Sequence, residues 1–275
     1  MSDREAALIG MRTARGGGMA DDARLTALTG GGLVLAAATT AMPSPLAATA
    51  AIASYGAATA LILPAAARAG ALRRFGWANR ITWIRVVLAA LLTGFLVAAA
   101  AETVAESPAT EQWPPVHLPP VHWPGAHWLG AHWPIVALAA AAWLLDGLDG
   151  LVARRLDQAR DFGARFDREV DAALILILSL LVFATGKTGA WIVAAGAMRY
   201  AFLAAGRLWP VLARPLPDSR ARSIVCGALV GSLLVCLSPL AEGMAAAIGG
   251  AALGALTLSF GRDVVWLLTR ADDKV

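Results

Sequence analysis

Four aspartates stand at spacings that place them on two short helical stripes. Asp146, Asp149, Gly150 and Ala153 fall at i, i+3, i+4 and i+7, one face of a helix. Gly163, Asp167 and Asp171 fall at i, i+4 and i+8, one stripe of a second helix. If the chain turns between them, four carboxylates and two glycines converge on one volume. Apolar packing gives no reason for such a cluster, and acids drawn together at a membrane boundary repel unless something neutralises them. Arg154, Arg155 and Arg165 offer part of the balancing charge. Hard divalent cations suit the site better, because Mg²⁺ or Mn²⁺ takes oxygen ligands and shares phosphate oxygens with a substrate. Two such ions about 3.5–4 Å apart clamp a pyrophosphate for in-line displacement. Gly150 and Gly163 leave room for a nucleotide beside the helix backbone, and Arg154 stands ready to oppose a phosphate or a carboxylate. Asp157, Asp161 and Glu169 read as a solvated, ion-paired face.

The elements that must position this stretch are membrane helices. The 275 residues are 58% hydrophobic and only 15% charged, against about 25% charged in soluble domains. Mean hydropathy is +0.64. Several apolar runs approach or exceed the ~20 residues that cross a bilayer as a helix. Strand alternation is absent, so the fold class is all-α and polytopic. The net charge of +4 is spread over short segments between apolar runs, with no basic patch interleaved with aromatics. That excludes nucleic acid as the expected partner and favours anionic membrane lipids and positive-inside topology. Cys226 and Cys236 share one apolar run without metal or redox spacing, and read as buried packing residues.

Taken in order, residues 1–24 read as a disordered cytoplasmic arm. Residues 25–70 read as a transmembrane hairpin broken at Pro43-Ser44-Pro45. A cleaved leader is the rival reading there, but a second apolar run follows the first at once. Residues 77–270 form the motif-bearing core, and 271–275 a tail. Within the core, helices are expected from about 79 to 101, 135 to 154, 164 to 185, 190 to 209, 223 to 237 and 241 to 268. Asn79, Thr82 and Arg85 stand at i, i+3 and i+6 early in the first of these. They read either as contributors to the site, or as two capping residues and a snorkelling arginine. Residues 102–133 carry a degenerate repeat, PPVHL, PPVHW, PGAHW, LGAHW, which holds all four histidines. Its prolines work against the fixed geometry a metal site needs, so an exposed loop with interfacial tryptophans is the reading. Gly227 with Gly231, and Gly250 with Gly254, have the spacing of close helix packing in lipid. The basic segments 1–24, 68–80, 154–168, 207–222 and 262–274 share one side if the chain crosses eight times. Both termini and the acidic motif are then cytoplasmic.

The run D-x2-D-G-x2-A-R-x8-G-x3-D-x3-D, from Asp146 to Asp171, resembles the signature of the CDP-alcohol phosphatidyltransferases at every fixed position. The helix order around it, from about Trp77 to Arg270, is similar to that family's six-helix membrane core, here with the N-terminal hairpin added. The resemblance implies transfer of a phosphatidyl or similar group from a CDP-linked donor, such as CDP-diacylglycerol, to an acceptor alcohol with release of CMP. It implies two ions, Mg²⁺ or Mn²⁺, held by Asp146, Asp149, Asp167 and Asp171, with Asp171 also the general base. Gly150, Ala153, Arg154 and Gly163 would line the CDP pocket, and Asn79, Thr82 and Arg85 would support the donor site. The same resemblance implies a homodimer, and the charge bias sets its active site at the cytoplasmic face of the inner or plasma membrane.

Arg199, Arg220 and Arg222 are candidate ligands for a phosphorylated acceptor, although positive-inside bias explains such arginines equally well. A small unphosphorylated alcohol such as serine or choline is the other acceptor class open to this site. Two other functions are open to an acidic helical membrane protein. An intramembrane prenyltransferase carries two separated Asp-rich motifs, whereas these acids lie in one helix–turn–helix unit. A cation transporter places its carboxylates in mid-membrane, whereas these sit at helix ends. Because the motif lies downstream of residue 67, the hairpin is expected to be dispensable for activity.

Overall fold

A computed structural model describes residues 3–105, 132–155, 161–214 and 219–272, with side chains at 3–21, 73–74, 102–105, 132, 148–155, 161, 213 and 270–272 outside the description. His117, His122 and His127 of the repeat lie outside the described residues, and His132 opens a helix. Eight α-helices and no strand occur among the described residues. They are α1 (Asp3–Ala41), α2 (Pro45–Arg68), α3 (Trp77–Ala105), α4 (His132–Arg155), α5 (Asp161–Ala184), α6 (Val193–Leu208), α7 (Arg220–Leu237) and α8 (Ala245–Asp272). Four of them, α2, α3, α7 and α8, contain stretches long and apolar enough to cross a bilayer by length and composition alone. The protein is an integral membrane protein of the polytopic helical kind.

Local chemistry sets the breaks. Pro45 takes the first turn of α2, where its missing N–H costs nothing, and Ser44 caps it by accepting from the Ala47 amide at 3.1 Å. After α5 the chain turns at Gly186, whose φ of +71° suits a residue without a Cβ. The arm at 1–24, expected to be disordered, is instead helical from Asp3 and continuous with the first apolar run. No proline precedes Pro43. Four glycines, Gly10 and the run Gly16-Gly17-Gly18, at about 1 kcal/mol each do not interrupt a segment otherwise rich in helix formers.

The chain falls into two compact units. The first comprises Met1–Ala98 and Ala141–Asp171. In it α1 and α2 pair, and both meet α3. Tyr55 on α2 donates to the Ala27 carbonyl on α1 at 2.6 Å and accepts from Trp83 Nε1 on α3 at 2.9 Å. Arg80 on α3 pairs with Asp22 on α1 at 2.7 Å and stacks over Trp77.

The second unit comprises Ala99–Ala140 and Ala172–Val275. Here α7 and α8 form a hairpin tied by Arg222 to Asp263 at 3.2 Å. Buried Cys236 donates to the Ala245 carbonyl at 3.3 Å, whereas Cys226, expected inside, is exposed on the outer face of α7. The glycines that permit close packing differ from those expected. A Cβ at Gly227 or Gly254 would meet nothing within 4 Å. Gly196 on α6 instead lies directly against the backbone of Leu176 on α5, and Gly249 on α8 lies against Ile192.

Candidate active site

The site lies in the first unit and is built by three helices. On α4, residues Trp133–Gly147 are apolar and carry the chain to Asp146. On α5, Phe166, Val170 and Leu174 are buried at i, i+4 and i+8. One position along, Asp167 and Asp171 therefore share the neighbouring stripe. On α3, Arg85 is only 2% exposed, although it sits in an apolar helix.

Arg85 joins the three carboxylates. Its Nη1 donates to Asp167 Oδ1 at 2.5 Å and lies 3.0 Å from Asp146 Oδ1, while Nη2 donates to Asp171 Oδ1. Its Nε donates to the Ala142 carbonyl at 3.2 Å, one turn before Asp146. A charge in an apolar helix is costly unless it is paired and hydrogen-bonded, and here every edge of the guanidinium has a partner. The aspartates themselves are 32–39% exposed, so solvent and substrate reach them where they do not reach the arginine.

One carboxylate oxygen from each of Asp146, Asp167 and Asp171 lies within 4.8 Å of the others. Oxygens bound to one octahedral Mg²⁺ at about 2.0–2.1 Å lie about 2.9 Å apart when adjacent and about 4.2 Å apart when opposite, and any three include at least two adjacent pairs, so the triad closes by up to about 2 Å to share an ion. With all ionised, three carboxylates and one guanidinium leave two negative charges. An all-oxygen donor set carrying that charge fits a hard divalent cation.

The arrangement corrects two readings. Arg85 does not snorkel; it is the hub. Asn79 and Thr82 do not cap α3, which starts two residues earlier at Trp77. Thr82 is buried and donates to the Ala78 carbonyl at 3.2 Å. Asn79 points across to α5, where a Cβ on Gly163 would meet its Oδ1 at 2.9 Å. Charge balance comes from Arg85, and Arg165 is exposed. The side chains of Asp149, Ala153 and Arg154, together with Gly150, lie outside the described residues, on the last two turns of α4. In the second unit Arg199 is half-buried, Arg220 is exposed, and Arg222 is committed to Asp263. The sequence missed the aromatic support of the site. Trp83 packs against Phe75 and Phe166, with ring centroids 5.8 and 6.0 Å apart. Phe166 immediately precedes Asp167, and only the aromatic pair Phe162 and Phe166, at helical spacing, hinted at this.

An acidic triad gathered on membrane helices around a buried arginine is an all-oxygen cluster that could hold a metal ion. The family model for CDP-alcohol phosphatidyltransferases matches residues 75–259, about two thirds of the chain, and the chain belongs to that family. It is therefore a transferase of substituted phosphate groups, acting in phospholipid synthesis on a CDP-alcohol. The prenyltransferase and transporter readings give way to this. No curated protein and no solved structure matches the chain.

Proposed function

We propose that this chain transfers a phosphatidyl group from CDP-diacylglycerol to an alcohol at the cytoplasmic face, releasing CMP. The observation that carries the reading is the convergence of Asp146, Asp167 and Asp171 on one volume in a chain of this family. Asp146, Asp167 and Asp171, joined by Asp149, would hold two divalent cations, Mg²⁺ or Mn²⁺. When bound, these ions supply positive charge against the pyrophosphate. The protein's own groups do the rest. Arg85 holds the three carboxylates at their spacing, so little reorganisation is left to the moment of reaction. Asp171 takes the proton from the acceptor hydroxyl. The acceptor oxygen then bonds to the phosphatidyl phosphorus as the bond to the CMP phosphate breaks. Gly163, with Gly150, Ala153 and Arg154, admits the CDP group, and Asn79 borders that space. The acyl chains stay in the bilayer, which is why such a chemistry lives on membrane helices. Arg199, Arg220 and Arg222 remain candidates for a phosphorylated acceptor, with Arg222 requiring release from Asp263. The active form is taken to be a homodimer with both termini in the cytoplasm.

The test is CMP release from CDP-diacylglycerol by purified protein with Mg²⁺ or Mn²⁺. The acceptor panel contains glycerol 3-phosphate, inositol phosphate, inositol, serine, choline and phosphatidylglycerol. Release stimulated by one acceptor identifies the reaction. Silence with every acceptor, and with other CDP-alcohol donors, defeats the proposal.

A further inference from the structure

The family match begins at residue 75, so the α1–α2 hairpin lies outside it. The packing nevertheless ties the hairpin to the active site through α3. Arg80, Trp83, Val87 and Gly94 stand at spacings of three, four and seven, a narrow stripe on one side of α3. Each meets the hairpin. Arg80 pairs with Asp22, and Trp83 donates to Tyr55. Val87 Cγ2 would lie 3.2 Å from a Cβ on Gly30. Gly94 is closer still, since a Cβ there would meet the Ala47 carbonyl oxygen at 2.8 Å and Met42 Sδ at 2.9 Å. Tyr55 is 7% exposed, and its hydroxyl bonds to α1 and α3 at once.

Arg85 lies two residues beyond Trp83, about 200° around the helix, and so on the opposite side. α3 is therefore held between the hairpin and the acidic cluster. Its guanidinium sits roughly 8 Å from the helix axis, so a rotation of about 10° moves it by more than 1 Å. A shift of that size breaks hydrogen bonds of 2.5–3.0 Å, and a 1 Å misplacement costs on the order of 10²-fold in rate.

We propose that the hairpin is a rotational stop for α3 which sets the position of Arg85 among the three aspartates, with Tyr55, Trp83 and Gly94 as positioning residues. This rests on the reading of that cluster as the active site, and it reverses the expectation that the hairpin is dispensable. Gly94 is the sharpest probe. A methyl group in mid-helix ordinarily favours the helix, so harm from Gly94→Ala reports lost docking.

The experiment compares full-length wild type, Gly94→Ala, Tyr55→Phe and the control Gly56→Ala, whose Cβ would meet nothing within 4 Å. In CMP release, Gly94→Ala and Tyr55→Phe are expected to lose at least about tenfold in kcat with KM for the donor little changed. Gly56→Ala should match wild type. A second readout needs neither substrate nor metal. The melting temperature is measured in EDTA for Tyr55→Phe, Arg85→Gln and the double variant, with Arg85→Lys used if Arg85→Gln does not fold. Positioning through α3 makes the two changes non-additive, whereas independent structural roles add. Unchanged kcat in Gly94→Ala and Tyr55→Phe, or additive melting shifts, overturns the proposal. If wild type itself releases no CMP from any CDP-alcohol, the functional reading fails, and the melting cycle alone then decides whether the hairpin positions Arg85.

Discussion

Replacing Arg85 by glutamine removes the guanidinium that touches all three carboxylates, and the cost can be worked from the geometry. The carboxylate oxygens lie within 4.8 Å of one another. At that separation two unit charges repel by about 3.5 kcal/mol at an effective dielectric constant of about 20, or about 10 kcal/mol over three pairs. The aspartates are 32–39% exposed, so water screens most of this and about 2–3 kcal/mol survives. That is near the lower end of the range for breaking a buried ion pair by removing one partner, about 3–5 kcal/mol. The expected result is a fall in melting temperature on the order of 5–10 °C in a chelating buffer. Millimolar Mg²⁺ should restore much of it, because a divalent cation replaces the missing charge. The assay is thermal unfolding in detergent, wild type against Arg85→Gln, with EDTA and then with Mg²⁺. The rise on adding Mg²⁺ should be larger in the variant. An equal rise in both proteins, or no loss of stability in EDTA, would refute the view of Arg85 as the charge hub.

Three further outcomes are expected. Asp171→Asn should abolish CMP release while leaving the protein folded and able to bind CDP-diacylglycerol, and retained turnover would remove it as the base. Gly196→Ala should destabilise by about 1–3 kcal/mol through overpacking against the Leu176 backbone, which thermal unfolding reads, whereas Gly227→Ala, with nothing within 4 Å, should not. Lys187 sits in the turn after α5, donates to the Ser238 carbonyl at 2.7 Å, and has its pKa lowered from the ordinary 10.5 by burial, partly offset by Glu242. A lysine whose folded value lies below its unfolded value favours folding more as pH rises between the two. The melting temperature of wild type minus that of Lys187→Gln should therefore grow as pH rises toward the ordinary value of 10.5. A flat or opposite trend would contradict the cause assigned to the shift.

The helices were legible because their ends are written in local chemistry. The Pro43-Ser44-Pro45 break, Gly186 and the polar segments between apolar runs brought the expected core helices to within a few residues of the observed ones. Asp146, Asp167 and Asp171 were legible because helical spacing turns directly into a shared face. Arg85 was visible only as an arginine in an apolar run. Its partners lie 82 and 86 residues away on α5, and no local period reveals a contact at that range. The same limit hid the Arg222–Asp263 pair, 41 residues apart. It also hid which glycines are packed closely, since a spacing of four does not say which way a face points. The helical start of α1 was missed for a different reason. Polar composition and the Gly16-Gly17-Gly18 run point to disorder, but residues 3–24 hold no proline to stop a helix.

The distance along the chain between Arg85 and its partners also has a consequence for biogenesis. Translation at about 5–20 residues per second delivers Asp167 and Asp171 roughly 4–17 s after Arg85. Through that interval nascent α3 must enter the membrane with a cation whose partners on α5 do not yet exist. An arginine at the centre of an inserting helix costs about 2.5–3.5 kcal/mol, an upper bound for Arg85, which lies in the first half of the Trp77–Ala101 span. The rest of α3 offsets this, since its mean hydropathy of 2.2 is the highest of the four spans that qualify by length and composition. α1 and α2 are synthesised earlier, so the surface that receives the other side of α3 is already waiting in the bilayer. Order of synthesis thus runs in the direction the architecture needs, with the brace first, the charged helix second and the aspartates last.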